Sequence, residues 1–418
     1  MEKLDFLKYT ASETIMQIVE KLYGGQSIIK DCPESVSREE AMEDIAYLRF
    51  VLENAYSGYT YHDKALFDEA FTSLEKEAAS GEAFAPAQLI DLICEKLGFI
   101  TDGHLQLIIK GKKESFYTLE QTYVSDLRLV ERGGEYFDAE NGETVAFAAP
   151  VRAFPTVPEN GENAFLLGIR SKKSIEEIEV TLGEKPVKLP VHKIRSAERG
   201  EDCLHDERYL DDVAIITCSS CGSDSEEEKQ TMLEIGEKCR AYKHVIWDLS
   251  NNGGGNSVLP QRFLDGLTGG INDDDGAKMI VLSSTAVKAK MTGEIEETPY
   301  KLEEDETPEG ERKVYADLFP GELHVIINDG IASSGELAVA WARQVPRVKF
   351  YGCNTKGVGR FGDLMFYYLP HSRITLACPY KVFDLGIEET FGFEPDYWVD
   401  DANVASVILK KLGVKDEK

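Results

Sequence analysis

Apolar residues recur at a helical spacing along the first hundred residues of the chain. Ser37 and Glu40 form a capping box, in which each side chain bonds the other residue's backbone N–H at a helix start. An apolar residue then returns every three or four positions, which predicts one buried helix face: Ala41, Ile45, Leu48, Leu52 and Ala55. The spacing repeats around residues 67–74 and 86–97. Residues 1–104 are therefore predicted to form a helical bundle.

The next hundred residues carry short runs rich in β-branched and aromatic residues. Turn signals such as Gly133-Gly134 and Asn141-Gly142 separate these runs. Three runs are predicted to be strands: Leu105–Ile109, Val145–Ala149 and Ile178–Leu182. Residues 105–205 are therefore predicted to form a β-rich module, with a boundary in the polar stretch that follows residue 196.

The last part of the chain, residues 206–418, alternates apolar strands with amphipathic helices. Strands are predicted at Val213–Thr217, His244–Leu249 and Leu323–Asn328. Helices are predicted at residues 226–241, after the glycines that end at residue 255, and from residue 334 to 343. Strand–turn–helix units repeated in this way predict an α/β layer structure.

Charge and cysteine content narrow the class of protein. The 418 residues carry a formal net charge of −29, which opposes binding to nucleic acid or to anionic membranes. No segment resembles a signal peptide or a membrane helix, so a cytoplasmic location is expected. Cys218 and Cys221 form a CxxC with His205 nearby, but a zinc site needs a second pair. Reduced thiols, no metal and no cofactor are expected, and the oligomeric state is not predicted.

The segment around Ser333 has the features of a nucleophile turn. An apolar strand ends at Asn328, and Ser333-Ser334-Gly335-Glu336 begins a helix. The first N–H groups of a helix carry partial positive charge and have no partner within the helix. The N–H of Ser334 is thus a candidate oxyanion donor beside the Ser333 hydroxyl. The alternative is that Ser333 is an ordinary N-cap.

Two further segments carry candidate chemistry. Residues 248–255, which end in three glycines, again have the order strand, glycine turn and helix. The N–H of Gly253 or Gly254 is a candidate second oxyanion donor, the alternatives being a phosphate cradle or a plain turn. The Walker Lys-Ser/Thr pair is missing, which disfavours nucleotide binding. His104 lies where the helical region meets the first strand, a setting that also suits a structural histidine.

These segments, in this order, resemble the tail-specific, or C-terminal processing, serine peptidase family. Its nucleophile pattern has a small residue, Ser, two small residues and Glu, and a T-x-G follows, here Thr355-Lys356-Gly357. Residues 248–255 are similar to the family's D-L-R-x-N-x-G-G, with Ser250 in the Arg position. Residues 389–396 are similar to its closing E-x-x-G-x-x-P-D. The resemblance covers about residues 210–400.

The resemblance implies a fold and a set of roles. It implies a crotonase/ClpP-like ββα spiral as catalytic domain, after the helical bundle and the β-rich module. Many members use a lysine directly after the T-x-G, but Val358 stands there. The chain therefore looks like the branch of the tricorn core and the interphotoreceptor retinoid-binding protein repeats. In that branch His104 would be the base and Glu389 its support, although Gly103 replaces the supporting serine. Lys356 is the alternative base.

The function expected from this resemblance is hydrolysis of peptide bonds in proteins or peptides, with Ser333 as nucleophile. Two other classes stay open. The first is an inactive protein of the same fold that binds hydrophobic ligands or peptides, and the second is a crotonase-like acyl-CoA enzyme. Related peptidases often carry a PDZ domain, but residues 105–205 lack its glycine-rich carboxylate loop. That module would be at most a degenerate PDZ-like domain.

Overall fold

The chain divides into two compact units that each combine distant segments of the sequence. The computed structural model describes residues 2–23, 25–159, 161–271, 278–305 and 318–415. The first unit is Met1–Thr118, Lys278–Glu306 and Arg360–Asp384, and the second is Leu119–Ala277, Thr307–Gly359 and Leu385–Lys418. Both units contain helices and strands, so the predicted mixed α/β class is confirmed. The division into domains at residues 104 and 205 stays a prediction.

The α-helices of the described residues lie in two parts of the chain, before residue 97 and after residue 225. The α-helices of the described residues are α1 Lys3–Ala11, α2 Ile15–Tyr23, α3 Arg38–Ala55, α4 Lys64–Ser80, α5 Pro86–Lys96, α6 Glu226–Cys239, α7 Val258–Thr268, α8 Thr285–Thr292, α9 Ser334–Ala342 and α10 Val404–Leu412. A short 3₁₀ helix spans Ser57–Tyr61. None of these helices combines the length and the apolar composition that crossing a bilayer requires.

The strands of the described residues are given in chain order. Those before residue 200 are β1 Val36–Ser37, β2 Ala83–Phe84, β3 Asp102–Ile109, β4 Lys112–Phe116, β5 Gln121–Arg132, β6 Glu135–Asp138, β7 Thr144–Ala146, β8 Arg152–Glu159, β9 Glu162–Ser171, β10 Glu177–Leu182, β11 Lys185–Pro190 and β12 His192–Lys193. The later ones are β13 Asp206–Leu210, β14 Val213–Thr217, β15 His244–Asp248, β16 Lys278–Ser283, β17 Lys301–Glu304, β18 Glu322–Ile327, β19 Lys349–Gly352, β20 Phe361–Tyr368, β21 Thr375–Asp384 and β22 Tyr397–Trp398.

Helix α3 forms where the capping box and the apolar stripe predict it. The Ser37 hydroxyl accepts a hydrogen bond from the Glu40 N–H, and the Glu40 carboxylate accepts one from the Ser37 N–H. The stripe from Ala41 to Ala55 is buried along its whole length. Helix α5 likewise has Pro86 in its first turn and buries the face that the spacing predicts.

The first unit packs its helices on an antiparallel sheet. The strand order is β17-β16-β21-β3-β4, with β20 also paired to β21. Strand β3 therefore joins a strand from a distant part of the sequence, because Thr375 of β21 pairs with Ile108. One continuous core fills the space between sheet and helices, and it includes Leu48, Phe71 and Leu376.

The second unit contains a mainly parallel sheet with the order β13-β14-β15-β18-β19-β22. Strands β14, β15, β18, β19 and β22 run parallel, and Asp248 at the end of β15 pairs with Ile326 near the end of β18. Both faces of the sheet are buried, since Ile246 packs in one core with Ile408 of α10, while Trp247 packs on Phe263 of α7. Strands buried on both faces read as continuous apolar runs, as these do.

An antiparallel sheet of residues 121–193 belongs to the same unit. Its strand order is β11-β10-β7-β6-β5-β9-β8, and β12 pairs with β5. Strand β7 ends at Ala146, three residues before the predicted end, while β10 matches its prediction closely. Phe154 of β8 packs on Trp398 of β22, with ring centroids 4.6 Å apart, so this sheet shares a small apolar core with the parallel one.

Candidate active site

Ser333 lies at the junction of a parallel strand and a helix. Strand β18 ends at Ile327, a turn covers residues 328–332, and α9 begins at Ser334. Ser333 stands at the N-cap position of α9, but its side chain makes no capping hydrogen bond to the helix. The Ser333 N–H donates to the Val358 carbonyl at 2.7 Å, and its own carbonyl accepts from the Glu336 N–H at 2.8 Å. Its backbone is therefore held on both sides.

The backbone of Ser333 adopts a conformation that few residues other than glycine adopt. Its φ is 54° and its ψ is −126°. A non-glycine residue in such a region costs about 1–3 kcal/mol and persists only where the surrounding structure imposes it. A sharp strand-to-helix turn with a strained serine is also the geometry of the nucleophile elbow, which exposes the hydroxyl above the sheet.

The glycine turn after β15 lies directly against Ser333. A Cβ atom built on Gly254 would be 2.8 Å from the Ser333 Cβ and 3.0 Å from the Ser334 nitrogen. Gly254 also has a φ of 99°, which side chains rarely tolerate. The Ser334 hydroxyl donates to the Gly255 carbonyl at 2.7 Å, which ties the turn to the start of α9.

Asn252 holds the glycine turn from inside the protein. It is fully buried, and its Oδ1 accepts a hydrogen bond from the Gly254 N–H at 3.0 Å. Its Nδ2 donates to the Cys218 carbonyl at 2.9 Å, and its backbone carbonyl accepts from the Ala332 N–H at 3.0 Å. One residue thus connects the turn, the end of β14 and the residue before Ser333.

Two amide groups beside Ser333 are available to a ligand. Within the described part of the chain, neither the Gly253 N–H nor the Ser334 N–H has a hydrogen-bond acceptor. The Gly254 N–H is already bonded to Asn252, which favours Gly253 over Gly254 as the second oxyanion donor. A Cβ built on Gly253 would meet no atom within 4 Å, so the space beside it is open.

A buried carboxyl braces the loop that receives the Ser333 N–H. Glu336 Oε1 accepts hydrogen bonds from the Thr355 hydroxyl and the Gly357 N–H, and its Oε2 accepts from the Val358 N–H at 2.7 Å. Burial raises the pKa of Glu336 to about 7, while these donors and Lys356 act in the opposite direction. Glu336 therefore positions the Val358 carbonyl, and through it Ser333.

The segment that begins at Glu389 packs on the same loop. The Thr390 N–H donates to the Gly357 carbonyl at 2.7 Å, and the Thr355 hydroxyl accepts from the Phe393 N–H at 2.7 Å. Glu389 itself is buried, with 9% of its surface exposed. Lys356 lies on this loop as well, half-buried, and its N–H donates to the Ile331 carbonyl at 2.9 Å. Both residues thus belong to the unit that contains Ser333.

His104 belongs to the first unit, on β3. Its N–H donates to Asp102 Oδ1 at 2.7 Å, and the Leu105 N–H donates to the same atom at 3.0 Å. Strand β3 has an irregular register between Asp102 and Gln106, so the carboxylate stabilises a local bulge. Burial raises the pKa of Asp102 to about 6, against the effect of these hydrogen bonds. The role of His104 as a base for Ser333 stays a prediction.

The second unit thus brings together most of the residues that the sequence singled out: Ser333, Ser334, Gly253, Gly254, Lys356 and Glu389. Sequence reasoning missed the roles of two residues in the same motifs. Asn252 stands inside the glycine segment, and Glu336 closes the Ser333 segment. The available signal for Glu336 was a charged residue beside Leu337 at the start of an apolar helix, while Asn252 lies between residues that are not buried and gave no such signal.

A model of the family described as Peptidase family S41 matches residues 212–397. The match includes every predicted site residue of the second unit and leaves out His104. It confirms the resemblance to the C-terminal processing peptidases. No curated protein matches the sequence significantly.

Several solved structures are similar to the chain at low identity. Mature CPAF is 13% identical, with 90% of this chain and 96% of that chain covered and a TM-score of 0.48. The photosystem II D1 C-terminal processing protease is 14% identical, with 86% and 93% covered and a TM-score of 0.39. The tricorn protease is 13% identical, with 88% and 35% covered and a TM-score of 0.39. The similarity to a peptidase family rests on the match over residues 212–397 rather than on these structures.

Proposed function

We propose that the chain, a serine-type peptidase of family S41 by its residues 212–397, hydrolyses peptide bonds in proteins or peptides with Ser333 as its nucleophile. The observation that carries the proposal is the strained backbone of Ser333, with φ 54° and ψ −126°, at the start of α9. Strain at such a turn has to be imposed by the surrounding contacts, here those of Gly254, Val358 and Glu336. An N-cap residue typically has an extended backbone, so helix capping alone does not require this strained conformation.

The reaction follows from the groups around Ser333. The Ser333 Oγ attacks the carbonyl carbon of the scissile peptide bond while a base takes its proton. The N–H groups of Gly253 and Ser334 bind the oxyanion that forms, and losing one such donor costs about 10²–10³ in rate. The base then returns the proton to the leaving amine. Water repeats the sequence on the acyl-enzyme and frees Ser333.

The base in this proposal is His104. An imidazole has a pKa of about 6.5 and can accept and return a proton near neutral pH. Glu389 would stabilise the imidazolium that forms and select its tautomer. These two roles come from the family resemblance, and Lys356 is the alternative base because it lies two residues before Val358, the position of the family's usual lysine.

The wider proposal follows the same resemblance. The catalytic domain, residues 206–418, would be a crotonase/ClpP-like spiral, preceded by a helical bundle over residues 1–104 and a β-rich module over residues 105–205. The enzyme would act in the cytoplasm.

A fluorophosphonate probe tests the nucleophile, because it labels serines that are activated for attack. We expect the wild type and Ser334→Ala to be labelled and Ser333→Ala not to be. Ser334→Ala is the matched control, since it removes a neighbouring hydroxyl bonded to the Gly255 carbonyl and keeps the Ser334 N–H. Equal labelling of Ser333→Ala and wild type would exclude Ser333. A folded wild type that takes no label would favour the ligand-binding alternative.

A pair of variants tests the base. We expect His104→Gln to lower the rate of labelling by about 10²–10⁴, the usual contribution of a general base, and Lys356→Met to leave it close to wild type. The wild-type rate should also rise with pH as the base loses its proton. The opposite result for the two variants would assign the base to Lys356.

A further inference from the structure

Three side chains with metal-binding donors lie close together at the start of two parallel strands. His244 is the first residue of β15, and Glu322 and His324 are the first and third residues of β18. The register pairs His244 with Glu322 and Ile246 with His324. Because side chains two residues apart point to the same face of a strand, all three meet on one face of the sheet.

The three donor atoms define a triangle of the size that a metal ion needs. His244 Nδ1 lies 3.3 Å from His324 Nε2 and 3.3 Å from Glu322 Oε2. His324 Nε2 lies 3.8 Å from the same Glu322 oxygen. A point equidistant from the three atoms is then about 2.0 Å from each of them, which is the length of a Zn–N or Zn–O bond.

The surroundings of the triangle suit a bound ion. His324 Nδ1 lies 3.3 Å from the Tyr351 hydroxyl, so a proton on Nδ1 leaves Nε2 free to bind a metal. The Tyr351 oxygen is in turn fixed by the Lys411 ammonium at 3.0 Å. The side chain of His324 is only 3% exposed, while that of Glu322 is 50% exposed. Water can therefore reach one side of the triangle and supply a fourth ligand.

We propose that His244, Glu322 and His324 form a binding site for Zn²⁺, with water as the fourth ligand. Two imidazoles and one carboxylate suit zinc and its neighbours among the transition metals, and they disfavour Mg²⁺ and Ca²⁺, which prefer oxygen donors alone. Within the described residues, no other group of three such side chains brings its donor atoms this close. The site is independent of the proposed peptidase reaction.

The position of the site gives a bound ion a structural role. It would join the first residues of β15 and β18, whose last residues lead into the glycine turn and into the turn before Ser333. Binding to the folded state alone stabilises it by mass action, by about 100-fold in the folding equilibrium at a free metal concentration about 100 times the Kd. The melting temperature should rise accordingly.

The test uses the full chain stripped of metal with a chelator. Co²⁺ should give the visible absorption of a four-coordinate site, and Zn²⁺ should displace it with a stoichiometry of one. We expect His244→Ala and Glu322→Gln each to weaken Zn²⁺ binding by more than about 100-fold, and Tyr351→Phe by about 10-fold, as losses around a bound metal do. Glu322→Gln removes a half-exposed charge, so it tests the site even if a histidine variant fails to fold.

Two other histidines provide matched controls. His371 belongs to the first unit and pairs with Glu43 at 2.8 Å, and His205 lies near the CxxC cysteines in sequence. Zn²⁺ binding should be unchanged in His371→Ala and in His205→Ala. No binding to the wild type, or equal binding to Glu322→Gln, would overturn the proposal. A thiolate-to-cobalt charge-transfer band that disappears in Cys221→Ser would also overturn it, since the metal would then lie at the CxxC.

Discussion

A single methyl group added to the glycine turn should disable the proposed nucleophile. In Gly254→Ala the new Cβ would lie 2.8 Å from the Ser333 Cβ, against at least 3.4 Å for an ordinary contact. The turn and Ser333 would therefore have to separate by about 0.6 Å, and a misplacement of about 1 Å at a reacting group can cost about 100-fold in rate. We expect the rate of fluorophosphonate labelling to fall by about 10-fold to 100-fold.

The same substitution should also destabilise the fold. An alanine at a φ of 99° costs about 1–3 kcal/mol of backbone strain, and the overpacking against Ser333 and the Ala332 carbonyl costs a similar amount. Urea unfolding of Gly254→Ala should therefore show a loss of about 2–5 kcal/mol in the free energy of unfolding. Labelling rate and unfolding are measured on the same preparation. A lower labelling rate can then be corrected for any protein that is already unfolded.

Gly253→Ala is the matched control for this prediction. Its added Cβ meets no atom within 4 Å, its φ is not in the left-handed region, and its N–H is retained. We expect its free energy of unfolding to stay within about 1 kcal/mol of wild type, because the loss of glycine flexibility in the unfolded chain is small. Wild-type labelling by Gly254→Ala, or equal damage in Gly253→Ala, would refute the geometry argued for the turn.

Three further predictions concern the contacts around the site and one helix. Burial raises the pKa of Glu336 from 4.5 to about 7, so the folded state binds more protons than the unfolded state between these pH values. As the pH rises through this window, the wild type should lose up to about 3 kcal/mol in its free energy of unfolding relative to Glu336→Gln. Urea unfolding at several pH values measures this loss. A difference that is independent of pH would contradict this. Asn252→Ala removes the side chain that bonds the Gly254 N–H and the Cys218 carbonyl. The rate of labelling should fall, and the free energy of unfolding should decrease by about 2–5 kcal/mol. An unchanged variant would show that the glycine turn keeps its position without the hydrogen bonds of Asn252. Ser37→Ala removes the cap of α3 and should cost about 1 kcal/mol in unfolding with no change in labelling of the folded protein.

Local signals account for the elements that the sequence predicted. The capping box at Ser37 and the apolar stripe of α3 act within a few turns of one helix, so the sequence alone carries them. Strands β14 and β18 were recognisable for the same reason, because a strand buried on both faces is a continuous apolar run in the sequence itself. The strand–turn–helix order around Ser333 is local as well.

Other features depend on contacts between distant residues, and sequence reasoning did not find them. Strand β3 pairs with β21, which no pattern within residues 102–109 indicates. Asn252 supports the glycine turn through Cys218 and Ala332, so its role appears only once β14, β15 and β18 are side by side. His244 and His324 are 80 positions apart, and only the register of β15 with β18 brings their rings together.

The structure of the wild type after reaction with a fluorophosphonate tests the central claim most directly. We predict a covalent bond from the Ser333 Oγ to phosphorus, with the phosphonyl oxygen within about 2.7–3.1 Å of both the Gly253 and the Ser334 nitrogen. A phosphonyl oxygen that faces away from both amides, or an adduct on another side chain, would contradict the account.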